Sequence, residues 1–149
     1  MKQQKSRFIK SQKENIFLNE INYYQKSIKR TDLRIGLIFP NKYRIGMANL
    51  ALKILYSQWN SYERVFVERI FQPESYEDEP KSIETRSSLK SFDVLAVTIQ
   101  FELDYINFIR MLIQGGIPIY RKDRKLDNDP IIIAGGPAVT TNRNVGHVR

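Results

Sequence analysis

The chain has 149 residues, 42% of them hydrophobic and 27% charged, which is enough for one domain with a sizeable core and hardly for two. With no Cys and a single His, His147, these residues exclude disulfides, thiolate metal sites, cysteine nucleophiles and multi-histidine centres, and a His-based catalytic triad is a poor candidate. The formal net charge is +8, and it sits at the front: residues 1–34 hold nine Lys/Arg against three Asp/Glu, and residues 35–149 hold fifteen against thirteen.

In chain order, residues 1–30 read as a basic arm. Such an arm attracts phosphate backbones or anionic surfaces. It also carries an apolar stripe, Phe17, Ile21, Tyr24 and Ile28, at i, i+4, i+7 and i+11, which favours packing on its own domain over a nucleic-acid tail. No apolar run nears the roughly 20 residues of a membrane helix. The first residues also lack the apolar stretch of a signal peptide. The expected setting is cytoplasmic, with no membrane partner.

Four strands are expected: Leu33 to Phe39, Arg64 to Phe71, Asp93 to Ile99 and Pro130 to Gly136. Three contain nearly uninterrupted apolar runs, as strands covered on both faces do. The second carries Glu68 and Arg69 and is placed nearer an edge. Helical patterns lie between them. Met47, Leu50, Ala51, Ile54 and Leu55 follow the first strand. Tyr105, Phe108, Ile109, Leu112 and Ile113 follow the third and stop at Gly115-Gly116. Residues 73–91 read as a solvated loop with a short helix near Ser82 to Leu89, and residues 121–129 as a charged turn. The strand starts, at 33, 64, 93 and 130, have the pitch of βα units in a parallel sheet. Too few residues follow Pro137 for another helix and strand, so the sheet is expected to lack its last βα unit. Its open edge is expected to favour self-association.

Ligands of such sheets bind beyond the carboxyl ends of the strands. Three loops lie there: Pro40 to Met47, in which Gly46 opens a helix able to hold an anion; Thr98 to Glu102, including Gln100; and Gly135-Gly136-Pro137. None supplies a catalytic set, and Glu102 and Asp104 read as a solvated helix start. No phosphate-loop or dinucleotide fingerprint is present.

Three stretches together carry a resemblance: FPNKYRIGMANLALKILY (Phe39–Tyr56), FDVLAVTIQFELDYINFIRMLIQGGIP (Phe92–Pro118) and PIIIAGGPAVTTN (Pro130–Asn142). This part of the chain resembles the N-terminal region of a family of radical SAM proteins, often described as Fe–S oxidoreductases. The resemblance implies a cobalamin-binding-domain-like, flavodoxin-like α/β fold with helices on both faces, spanning residues 31–142 between the arm and an atypical tail, 143–149. It also implies a partner, the barrel domain that carries a CxxxCxxC motif. The [4Fe–4S] cluster and S-adenosylmethionine belong to that part, which is expected to lie outside this chain.

On the corrin-loop pattern DxHxxG, Asn41 stands for the Asp, Tyr43 for the ligating His, and Gly46 is kept. Thr98 and Gln100 fall on the SxL pattern, and Gly135 and Gly136 on the GG pattern. The resemblance therefore implies a crevice at Asn41, Tyr43, Gly46, Thr98, Gln100, Gly135 and Gly136, with cobalamin binding lost or weakened because a phenol replaces the imidazole. Two other readings stand beside it. One is a freestanding α/β module for a small anionic ligand. The other is a nucleic-acid-associated protein acting through the basic arm.

Overall fold

The computed structural model describes Tyr24 and residues 26–141. Strands β1 (Leu33–Phe39), β2 (Val65–Phe71), β3 (Val94–Thr98) and β4 (Ile131–Gly135) form one parallel sheet in the order β2-β1-β3-β4. The helices are α1 (Tyr43–Ala48), α2 (Leu50–Asn60), α3 (Glu102–Gln114) and α4 (Pro137–Thr141). Every expected strand forms, with ends that differ by at most a residue or so. The order matches the first four strands of the flavodoxin-like arrangement, 2-1-3-4-5. Residues 1–23 and 25 of the arm, residue 142 and the tail 143–149 lie outside the described residues, and with them two of the four stripe residues, Phe17 and Ile21.

Alternation along β1 and β3 feeds two apolar layers. On one face Ile35, Leu37, Phe39, Val67, Phe71 and Ala96 pack with Leu52 and Tyr56 of α2. On the other, Ile38, Ile70, Leu95 and Val97 pack with Phe108, Met111 and Leu112 of α3 and with Leu89 and Phe92 of the β2–β3 connection. At about 25 cal/mol per Å² of apolar surface removed from water, these two layers are the main source of stability.

The helix faces differ from the sequence expectation. Asn49 is extended (φ −80°, ψ 119°) and its side-chain oxygen accepts from the Leu52 N–H at 2.9 Å, so it caps a new helix rather than continuing the old one. That break turns Leu52 and Tyr56 inward and leaves Leu50, Ala51 and Ile54 exposed. In α3 the buried positions are Asp104, Asn107, Phe108, Met111 and Leu112, while Ile109 and Ile113 are exposed.

The β2–β3 connection is also corrected. Residues 82–89 form no helix. Ser82 bridges Ile70 antiparallel, Lys81 bridges Ser88, and a 3-10 turn spans Leu89–Ser91. A tight turn closes the segment, with Ser82 N–H donating to the Ser87 carbonyl at 3.0 Å and Arg86 at φ 61°. Far from being solvated, Ser82 and Leu89 are fully buried. The arm's end is tied down as well. The Tyr24 ring meets Tyr56 edge-on at 5.6 Å, and Lys26 donates to the carbonyls of Asn60, Tyr62 and Val65, each at 2.6 Å.

Candidate functional site

The chain leaves β1 toward β2 and later leaves β3 toward β4, on the opposite side. This places a switch point between the carboxyl ends of β1 and β3, where open parallel sheets bind ligands. All seven sequence-derived positions lie at this end of the sheet, in two groups.

Asn41, Tyr43 and Gly46 lean toward β2. The Asn41 carbonyl accepts from the Gln72 N–H at 3.0 Å, and its side-chain oxygen from the Lys42 N–H at 2.8 Å. Tyr43 sets its ring edge-on to Phe71 at 5.3 Å. Gly46 does not open the helix; it is the fourth residue of α1, and its N–H donates to the Lys42 carbonyl at 3.1 Å. Any Cβ there would collide with the Phe71 ring, so Gly46 is the close-packed joint between α1 and the end of β2. Lys42 is engaged too, donating to the Pro73 carbonyl at 2.6 Å.

Thr98, Gln100, Gly135 and Gly136 gather at the ends of β3 and β4. Thr98 pairs with Gly135 in the strand register, and the buried Thr98 hydroxyl points to the Ile38 carbonyl of β1 at 3.5 Å. Gly136 has φ 114°, and a Cβ there would strike the Ile99 carbonyl. Only glycine serves at this strand-to-helix turn, whose carbonyl receives the Val139 and Thr140 N–H groups of α4. Gly135 differs, because a Cβ would meet nothing within 4 Å. Gly135 therefore borders open space, while Thr98 beside it is buried. The Gln100 and Phe101 N–H groups donate to the Asp104 carboxylate at 2.9 and 3.1 Å. Asp104 is thus buried in a cap of its own helix, not solvated.

The polar side chains of these seven positions are two amides (Asn41 and Gln100), a hydroxyl (Thr98) and a phenol (Tyr43). Among the described residues no group of three or more His, Cys, Asp or Glu side chains could hold a metal ion. None of these residues is long and apolar enough in helix to cross a membrane. For a corrin, Tyr43 offers a phenol already packed on Phe71. For an iron–sulfur cluster, the chain offers no thiol, so no step through the cluster is derived from these residues.

Two features escaped the sequence reading. The first is a pair of buried ionic clusters under the β2 edge. Glu68, 0% exposed, accepts from Arg34 at 2.6 Å, Ser82 at 2.8 Å and the Thr85 hydroxyl at 2.6 Å. Arg69, 3% exposed, meets Glu84 at 2.7 Å through both its backbone N–H and its Nε, and lies over the Tyr56 ring at 4.4 Å. Burial and the nearby Glu84 carboxylate push the Tyr56 phenol well above its ordinary pKa. The second is a groove of about 820 Å³ along the α3 face of β4. Val97, Ile99, Phe108, Leu112, Ile132 and Ala134 form its apolar lining, and Arg121, Arg124 and Lys125 stand on it. None of the seven expected positions lines it. The run Ile131–Ala134 held the signal, since every residue in it is apolar.

Residues 51–147, well over half of the chain, match the family described as radical SAM proteins, N-terminal. The chain belongs to this radical SAM N-terminal family. An uncharacterised protein of Methanocaldococcus jannaschii is 30% identical over 109 residues, covering 72% of this chain and 20% of that protein. The chain therefore spans about a fifth of the curated relative it matches. No solved structure matches. The radical SAM N-terminal domain seen here is an all-parallel α/β sheet, as its pattern of strand spacing implied.

Proposed function

We propose that this radical SAM N-terminal domain is a cytoplasmic, non-catalytic accessory unit that holds a small ligand, a substrate or a corrin, in the crevice at the ends of β3 and β4. Radical generation resides in a cysteine-bearing barrel of the longer protein. The observation that carries this reading is the open space beside Gly135, next to Thr98 and the switch point. A corrin there binds without an imidazole ligand, because the resemblance sets Tyr43 where the ligating His would stand, and Tyr43 is packed against Phe71 on the β2 side. The described end of the arm supports packing rather than nucleic-acid binding, since Tyr24 and Lys26 contact α2 and its carboxyl end.

The test is a titration of the 149-residue chain with hydroxocobalamin, read by absorbance and by backbone amide shifts. The expected shifts are confined to Thr98, Gln100, Gly135 and Gly136, with no histidine-type spectrum. A histidine-type spectrum from the unmodified chain, or shifts confined to another face, contradicts the reading.

A further inference from the structure

We propose that the outward face of α3 is a self-complementary interface, through which two copies of this chain pair with their α3 helices antiparallel about a twofold axis at Ile106. This goes beyond the ligand reading and does not depend on what the crevice binds.

α3 is apolar on two sides. Phe108, Met111 and Leu112 pack on the sheet, and a helix whose other side met only water would be polar there. Instead Leu103, Ile106 and Ile113 stand outward, 63%, 50% and 60% exposed, with Ile109 exposed beside them and Phe101 exposed at the helix start. Tyr76 widens the patch. The Gln114 side chain donates to its carbonyl, and the Arg110 guanidinium lies over its exposed ring at 5.2 Å. A contiguous apolar patch of this kind marks a contact surface. Leu103, Ile106, Arg110 and Ile113 follow one another at i, i+3, i+7 and i+10. That is the spacing of helices that pack at a shallow crossing angle of about 20°.

Charge selects the occupant. Asp104 is buried in the cap, which leaves Glu102 and Arg110 as the charged residues on the outer side of α3. Among the described residues neither joins an ion pair. They stand four residues to either side of Ile106, each about 6 Å away along the helix axis. A half-turn about an axis through Ile106 therefore sets each Glu102 against the other copy's Arg110, and each Leu103 against the other copy's Ile109. Such an interface matches itself, with every contact made twice. A partner surface of one sign would meet a like charge at one end of the stripe.

The face is small. α3 has 13 residues, a length of about 20 Å, and one helix pair of that length falls short of the roughly 1,600 Å² of a standard stable interface. The dimer is therefore reversible and concentration-dependent. The competing surface is the β4 edge. The bonds Ile131 N–H to Asp93 O (2.9 Å) and Ile99 N–H to Gly135 O (2.8 Å) turn Ile131, Ile133 and Gly135 toward β3, so Ile132 and Ala134 direct their N–H and C=O groups outward. An open row of this kind can take another strand, but β4 carries no charged side chain to select a second copy.

The experiment is a concentration series of the 149-residue chain, followed by sedimentation and by backbone amide shifts. The expected mass rises from 17.6 kDa toward twice that value, with shifts centred on Leu103, Ile106, Arg110 and Ile113. Ile106→Asp abolishes the rise without lowering the urea midpoint, because the side chain is half exposed in the single copy. Glu102→Arg or Arg110→Glu alone weakens the dimer at least tenfold, and the two together restore it. The shifts of the unmodified chain need no variant, so a substitution that misfolds does not decide the matter. A mass of one chain at every concentration overturns the proposal. So does a dimer that shifts Ile132 and Ala134, survives Ile106→Asp and is lost with Ile133→Lys, since the copies then meet at the sheet edge. A double exchange that folds and fails to restore the dimer overturns the antiparallel arrangement. None of these results touches the crevice, which the corrin titration scores on its own.

Discussion

At the β2 edge the sheet is sealed by its own chain. Residues 81–88 bridge the outer side of β2, Ile83 N–H donates to the Arg69 carbonyl at 2.8 Å, and Glu68 and Arg69 are buried with their partners. At the β4 edge the strand is wholly apolar, exposed on one face and grooved on the other. Charge at a strand edge usually signals contact with water. Here it signals a lid of hydrogen-bond partners supplied by a serine- and threonine-rich loop. The apolar run of β4, which reads as interior, lies at the open side. The lesson is that strand composition reports what a strand is built to touch, not what one segment of chain happens to cover.

The comparison breaks most visibly at Glu68. Removing one member of a buried ionic cluster leaves the others unpaired, at a cost of about 3–5 kcal/mol. Glu68→Ala should lower stability by that order in urea unfolding and open residues 74–88 to proteolysis. A loss below about 1 kcal/mol would mean that the β2 seal is not held by this cluster.

Next is Gly136→Ala, which places a Cβ against the Ile99 carbonyl at a positive φ. A loss of about 1–3 kcal/mol is expected, with the Ile99 amide losing exchange protection. An unchanged urea midpoint would contradict the tight turn between β4 and α4.

A smaller effect comes from pH. Burial raises the Glu84 pKa, with the Arg69 guanidinium pulling the other way. A carboxyl whose folded pKa exceeds its unfolded value holds its proton longer in the folded chain. Its contribution is present below the ordinary glutamate range and is lost as pH rises through the raised value. Relative to Glu84→Gln, the unmodified chain should lose stability across that window. A difference that is flat with pH would contradict the burial of this carboxyl.

The smallest effect belongs to the open side. Ile133→Lys should change stability by no more than about 1 kcal/mol, because about half of the side chain stands in water. A loss of several kcal/mol would show that something already covers β4.

Much of the sheet was legible because four strand patterns at βα spacing, three of them nearly uninterrupted apolar runs, leave few alternatives. Val65–Phe71 was rightly set at an edge, since Glu68 and Arg69 have no place in a central strand without partners. The helix faces were less legible. Leu50 and Ile54 fit an apolar period, yet the Asn49 cap resets the phase and turns Leu52 and Tyr56 inward instead. The seal over β2 was illegible because Ser82, Glu84 and Thr85 look like a solvated loop until Glu68 and Arg69 are seen to need them. At the candidate site, the strand-end rule put all seven positions at one end of the sheet. It did not tell packing joints such as Gly46 from open positions such as Gly135, because that distinction depends on Phe71, which approaches from another strand.

The most direct measurement is residue-resolved amide exchange on the 149-residue chain. The account predicts that the Arg69 and Ile83 amides at the β2 edge exchange slowly, as do Ile131 and Ile133, while Ile132 and Ala134 exchange at least tenfold faster. Equal protection of Ile131 to Ala134, or rapid exchange at Arg69 and Ile83, would contradict a sheet sealed on one side and open on the other.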